Sequence, residues 1–181
     1  MKRLFVGIPV AQEVKTQILS LYPSLVETGA SFSLVDEKNL HFTLIFLGEV
    51  EESKIGEIEN TLNNIAQKYY SFSCTIQEIN AFPTANDPKI VWIGSKAEQL
   101  RTLMKDTLNA LSNIRPSEHA DATPHCTIAR IKKSTPELIQ FILQHRHASF
   151  GTMEVSQLHL IESTLTPKGP IYKPVKVFML K

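Results

Sequence analysis

His41-Phe42-Thr43-Leu44-Ile45-Phe46-Leu47-Gly48 has a counterpart in the other half of the chain, Pro124-His125-Cys126-Thr127-Ile128-Ala129-Arg130. Each stretch carries a histidine, an apolar residue, a threonine and an aliphatic residue in that order. β-Branched and aromatic residues crowd both, and such runs favour strands. Alternate side chains of a strand share a face. His41 and Thr43 therefore point one way, with Phe42, Leu44 and Phe46 on the other. By the same rule His125 and Thr127 oppose Cys126 and Ile128, and Arg130 falls opposite His125 unless the strand bulges or ends near Ala129. One such motif is commonplace. Two copies of a titratable ring beside a hydroxyl, presented from rigid strands, have the makings of an acid–base pair.

Working outward from each motif, the two halves of the chain repeat one order of elements. Leu4 to Ile8 is an apolar run that predicts a buried strand. Val14, Ile18, Leu21 and Leu25 recur at helical spacing, a pattern that Pro23 ends or kinks. The histidine strand His41 to Leu47 follows and stops at Gly48; Ile55, Ile58, Leu62 and Ile65 then mark a helix, and Phe72 to Ala81 a strand. In the second half, Ile90 to Ile93 predicts a strand ending at Gly94, and Leu100, Leu103, Met104, Leu108 and Leu111 a helix. Pro124 holds Thr123 extended at the entry to the strand His125 to Ile131. Thr135-Pro136-Glu137 starts a helix with a capping hydroxyl, a first-turn proline and an acid. Val155 to Ile161 and Tyr172 to Leu180 close the chain as strands.

The spacing agrees between halves: 35 residues separate Val6 from His41, and 33 separate Trp92 from His125. An internal duplication accounts for this. It predicts an α+β bilobal fold, two antiparallel sheets lining a central cleft with helices packed outside, over a single domain spanning 1–181. Pro83-Thr84-Ala85-Asn86-Asp87-Pro88 is a turn-rich connector too short to be a flexible linker.

Bulk composition narrows the function classes. With 181 residues, 43% of them hydrophobic and 20% charged, the chain suits one domain or two small lobes sharing a core. A net charge of +1 gives no sign of a strongly basic nucleic-acid binder, although a local basic groove is compatible with it. Cys74 and Cys126, the only two cysteines, lack metal-like or redox-like spacing, so a reducing interior is expected. The apolar stretch before Pro9 is too short for a secretory signal, and no run approaches the roughly 20 apolar residues of a membrane span. The expectation is a soluble cytoplasmic protein without membrane contact.

Histidine has an ordinary pKa near 6.5, so one ring can act as base while another acts as acid. Two imidazoles facing a cleft could take a proton from water and deliver one to a leaving oxygen. Thr43 and Thr127, on the same faces, could hydrogen-bond an anion held between them, and a phosphodiester fits that description.

The two motifs resemble the signatures of the 2H phosphoesterase superfamily, and within it those of the RNA 2′,3′-cyclic phosphodiesterase family, also called 2′–5′ RNA ligases. The resemblance extends to Arg3-Leu4-Phe5-Val6, Phe82-Pro83, Val91-Trp92-Ile93-Gly94 and Glu162-Ser163-Thr164-Leu165-Thr166-Pro167-Lys168-Gly169-Pro170-Ile171-Tyr172. It implies hydrolysis of a 2′,3′-cyclic phosphate on an RNA end or nucleotide to a 2′-phosphomonoester, with reversible 2′–5′ ligation as a companion activity. It further implies no metal, no cofactor and a monomer. His41 would donate the proton to the leaving 3′ oxygen, His125 would activate water, and Thr43, Thr127 and Arg130 would hold the phosphate. Cys126 stands where the family often has an aliphatic or aromatic residue, pointing away from the cleft.

Other residues read more plainly. Phe42, Phe46 and Trp92 are expected in the core rather than stacked on a base, and Phe82 could take either place. His119, His145, His147 and His159 read as surface, and Lys168 as an exposed turn lysine. The competing functions are a non-catalytic RNA-end binding module, a metal site built on His41 and His125, and an enzyme for small cyclic nucleotides. Two histidines without carboxylate or thiolate companions make a poor zinc set.

Overall fold

A computed structural model describes residues 1–114, 123–167 and 169–181, so the expectations for His119 and Lys168 lie outside it. Its strands are β1 (Lys2–Pro9), β2 (Ser31–Leu34), β3 (His41–Val50), β4 (Phe72–Thr84), β5 (Asp87–Ser95), β6 (His125–Lys133), β7 (Ser149–Val155), β8 (Gln157–Thr166) and β9 (Gly169–Met179). Its helices are α1 (Gln12–Ser20), α2 (Tyr22–Glu27), α3 (Glu52–Ala66), α4 (Glu98–Ala110) and α5 (Pro136–Gln144). The predicted α+β architecture is present as two antiparallel sheets, ordered β3-β1-β8-β9 and β2-β6-β5-β4-β7.

The two orders match once β2 is set aside: a histidine strand, then the strand that opens its half, then two more. The sheets are not, however, the two halves of the sequence. β4 belongs to the first half yet pairs with β5, while β8 from the second half pairs with β1. Helices cross over as well. α3 and α4 lie against the first sheet, and α1 and α5 against the second. Each sheet is thus built from both halves of the chain, and β3 and β6 approach each other where the sheets meet.

Local chemistry explains most boundaries. The apolar stripe of α3 buries Ile58, Leu62 and Ile65; that of α4 buries Leu100, Leu103 and Met104. Thr107, also buried, donates its hydroxyl to the Leu103 carbonyl at 2.7 Å, which satisfies it inside the core. Pro23 sits in the first turn of α2 and separates it from α1, where a single kinked helix was the alternative. Thr135 caps α5 as predicted, its Oγ1 accepting from the Leu138 amide at 3.2 Å.

Several expectations change. The Pro83–Pro88 connector is a tight β4–β5 hairpin, with Thr84 opposite Asp87. Val155 ends β7 rather than opening a strand, and β2 was not foreseen, being too short for periodicity to register. The histidine strand does not stop at Gly48 but runs on to Val50, because Gly48 takes a φ of 71° beside a bulge at Leu47 and the ladder resumes.

A second kind of bulge matters more. β1 pairs Val6 with Ile45 and Gly7 with Thr43, skipping Leu44; β5 pairs Val91 with Ala129 and Trp92 with Thr127, skipping Ile128. The fourth residue of each motif is therefore an unpaired bulge at the same place, and past it the alternation of faces reverses. The register also aligns Gly7, rather than Val6, with Trp92.

Trp92 is 4% exposed and fills the space beside Gly94, the residue opposite His125. A Cβ at Gly94 would come within 2.8 Å of the Trp92 ring, which has no room to retreat. Gly94→Ala is expected to lower the unfolding free energy by about 1–3 kcal/mol in urea titration, the usual effect of overpacking. An unchanged midpoint would contradict this packing.

Candidate functional site

The concave space between the sheets is a groove of about 700 Å³, within the range of small-ligand sites. His41, Thr43, His125, Thr127 and Arg130 all line it. The two motifs thus face one another, as strand alternation requires for their first and third residues.

Each histidine is held in the same way. His41 Nδ1 lies 2.6 Å from the Asn39 carbonyl, and His125 Nδ1 lies 2.8 Å from the Thr123 carbonyl, in both cases two residues upstream. A carbonyl only accepts, so each Nδ1 must carry the proton. The tautomer is thereby fixed, and Nε2 is left as the nitrogen with free chemistry: a lone pair when the ring is neutral, an acid when it is charged.

Aromatic neighbours fix the ring planes. Phe5 lies 4.8 Å from His41 between centroids, and the Tyr172 ring meets it edge-on at 5.3 Å and 87°. On the other side Phe82 meets His125 at 4.9 Å and 84°, with Trp92 at 6.0 Å. Phe82 and Trp92 therefore wall the second histidine.

The bulges decide two further positions, the fifth residue after each histidine. Arg130 reaches the groove because the skipped Ile128 turns it onto the face of His125. Phe46 reaches it for the same reason and is 54% exposed, so its expected core placement is corrected; Phe42 and Trp92 are buried as expected. The first sheet thus offers an aromatic ring where the second offers a guanidinium. Tyr172, Asn39 and Ser33 also line the groove and were not singled out from sequence. An aromatic residue five positions after the first histidine was the only available sign of Phe46. Tyr172 closes the stretch 162–172 that carries the family resemblance, but its place beside His41 is set by the β8–β9 hairpin.

Burial moves both titrations in one direction. Desolvation lowers the His41 pKa to about 4; its carbonyl bond opposes the shift, and the charges of His125 and Arg130 add to it. His125 is also lowered, by desolvation first and then by Arg130, against the pull of the Thr123 carbonyl. Cys126 lies on the core side, where burial pushes its thiol up to about 12 although a hydrogen bond to the His41 backbone opposes this. It is no thiolate nucleophile at neutral pH.

Outside the groove, His145 packs on Phe141 with its Nδ1 2.9 Å from the Phe141 carbonyl, and His147 is exposed. His159 is half-buried rather than a surface residue, since β8 is an inner strand; its Nε2 is buried without a hydrogen-bond partner among the described residues. Among the described residues no three His, Cys, Asp or Glu side chains gather as a metal-ligand set, and no helix is long and apolar enough to cross a membrane.

Comparison with known proteins points one way. A family model described as the 2'-5' RNA ligase superfamily matches residues 25–166. A protein from Archaeoglobus fulgidus named RNA 2',3'-cyclic phosphodiesterase is 36% identical over 178 residues, covering 97% of this chain and 99% of the relative. One of the same name from Thermotoga maritima is 35% identical over 174 residues, covering 94% and 91%. The crystal structure of TT0787 of Thermus thermophilus superposes with a TM-score of 0.84 at 24% identity, covering 98% of this chain and 97% of that one, which establishes the shared fold.

The shifts carry a measurable consequence. The His41 pKa is about 4 in the folded state, against about 6.5 when unfolded, so the unfolded state binds more protons between those values. Stability should fall as pH drops from 6.5 through 4, and histidine NMR should place both midpoints below 6.5, with His41 near 4. A normal midpoint at both rings would contradict the desolvated site.

Proposed function

Because the chain belongs to the 2'-5' RNA ligase superfamily, we propose that it hydrolyses the 2′,3′-cyclic phosphate at an RNA end to a 2′-phosphomonoester. The observation that carries this reading is the matched pair of Nδ1–carbonyl contacts, which leaves two Nε2 atoms to work from opposite walls of one groove. His41 and His125 are the catalytic residues of this reading. Thr43, Thr127 and Arg130 hold the phosphate.

Water approaches phosphorus on the side opposite the 3′ oxygen. Nε2 of His125 takes its proton as the new O–P bond forms, and Nε2 of His41 gives a proton to the 3′ oxygen as the P–O3′ bond breaks. The products are a 3′-hydroxyl and a 2′-phosphate, and the two rings have exchanged protonation states, which solvent restores. A 5′-hydroxyl in place of water gives a 2′–5′ linkage through the same two transfers. The threonine hydroxyls donate to the non-bridging oxygens, and the guanidinium offsets the charge that builds there.

Both rings are held below their ordinary pKa in the free protein, so neutral rings predominate at pH 7. The acid acquires its proton when the substrate arrives: an anionic phosphate between the rings favours their charged forms. Phe46, exposed in the same groove, offers a face on which a base can stack. The chain acts as a cytoplasmic monomer, and the chemistry needs no metal because proton transfer and hydrogen bonding supply each element of the step.

Incubation with an oligonucleotide ending in 2′,3′-cyclic phosphate, in excess chelator, should yield the 2′-phosphate. His41→Ala and His125→Ala should each lower kcat by at least about a hundredfold. Phe46→Ala should raise KM by about fivefold or more, the lower range for losing one stacked base. Undiminished turnover in either histidine variant, loss of activity in chelator, or a 3′-phosphate product would overturn the mechanism. Binding of the oligonucleotide without turnover would identify an RNA-end binding module instead.

A further inference from the structure

We propose that Asn39 is a positioning residue that ties the β8–β9 hairpin to the His41 ring, a role that deepens the two-histidine reading and rests on it for its kinetic consequence. Asn39 is 8% exposed, one of few buried polar side chains among the described residues. It acts in two directions at once. Its carbonyl receives the Nδ1–H of His41 at 2.6 Å, and its side-chain Nδ2 donates to the carbonyl of Pro170 at 3.1 Å. The partner is a carbonyl, which fixes the amide nitrogen as the end that faces it.

The two bonds have different origins. The carbonyl is aimed by the 3₁₀ turn Glu37–Asn39: the Asp36 side chain accepts from the Lys38 amide at 3.1 Å, and the Asp36 carbonyl accepts from the Asn39 amide at 2.8 Å. That much is local. The bond to Pro170 spans 131 residues and reaches a different strand. Two positions beyond Pro170, Tyr172 sets its ring edge-on against His41 at 5.3 Å. One short stretch of β9 therefore both contacts the ring and is anchored to the residue that holds the ring's proton. If the Asn39 bond is lost, the end of the β8–β9 hairpin stays paired but loses its tie to the residue before His41, which loosens the Tyr172 wall that keeps water from the imidazole. At the equivalent place before His125 stands Thr123, which is exposed. Among the described residues the clasp belongs to the first motif, and it distinguishes two rings whose Nδ1 contacts are alike.

The charged and titratable groups bearing on His41 are His125, Arg130 and, at its backbone, Cys126 from β6, and Tyr172 from β9. None of them is altered by a substitution at Asn39, so a change in the His41 titration reports on its surroundings. The test is histidine NMR titration together with steady-state kinetics on Asn39→Ala and Asn39→Ser, neither of which can span to Pro170. The His41 midpoint should rise towards its ordinary value by at least about half a pH unit as water enters, while His125 keeps its own. On a cyclic-phosphate oligonucleotide kcat should fall about tenfold or more, the effect of a misoriented acid. In the unaltered protein the Asn39 side-chain amide should exchange slowly with solvent, a measurement that stands even if both variants fail to fold. An unmoved His41 midpoint, or fast exchange of that amide, would overturn the clasp. A moved midpoint with unchanged kcat would leave the clasp standing and count against the catalytic reading instead.

Discussion

The contact between each imidazole Nδ1 and the carbonyl two residues upstream is the constraint on which the rest depends. It is a local bond, available only because the chain enters each histidine strand through an extended residue. Leu40 supplies that residue before His41 with a ψ of 118°. Before His125 the corresponding residue is Pro124, whose ring biases Thr123 towards an extended backbone. By fixing the proton on Nδ1 it leaves Nε2 as the nitrogen of each ring that can exchange a proton in the proposed reaction. The two sheets then need only bring the strands together, and the exchange of β4 and β8 between the halves of the chain binds the sheets to one another.

Symmetry sets up the site and departures from it give the site its chemistry. The bulge at the fourth residue of each motif is the same on both sides, and it turns the fifth residue after each histidine into the groove. There the halves diverge, Phe46 on one side and Arg130 on the other. They diverge again on the strand behind, where Gly7 stands opposite Thr43 and Trp92 opposite Thr127. A Cβ at Gly7 would press within 3.3 Å of the His41 ring, so the absence of a side chain there is part of how that ring is seated. In the proposed reaction a symmetric pair of imidazoles would have no preferred direction for proton flow, and the unequal surroundings would supply one.

The sequence made the two-sheet α+β fold legible because its periodicities are strong: the α3 stripe of Ile58, Leu62 and Ile65 and the alternation in His41–Thr43 each have one interpretation. Periodicity put His41 with Thr43 and His125 with Thr127 on shared faces, while the repeated order of elements and the family resemblance implied that the two faces meet in one groove. What alternation alone could not place were residues beyond a bulge. Phe46 was assigned to the core by strict parity, and Arg130 hung on whether β6 bulged; one skipped residue in each ladder settled both. β2 escaped notice because four residues carry too little pattern, and the hairpin at Thr84–Asp87 was masked by two flanking prolines. The roles of Asn39 and Tyr172 went unread for a different reason: they depend on contacts between distant segments, which no local pattern encodes.

In the proposed reaction the two rings act in opposite protonation states. The most direct measurement is the pH dependence of kcat/KM on a cyclic-phosphate oligonucleotide, for the unaltered protein and for each histidine variant. A bell-shaped profile is predicted, with its maximum on the acid side of the ordinary histidine pKa, and each single substitution should remove one limb and keep the other. A profile flat across the histidine range, or one whose two limbs both survive loss of either ring, would contradict the account.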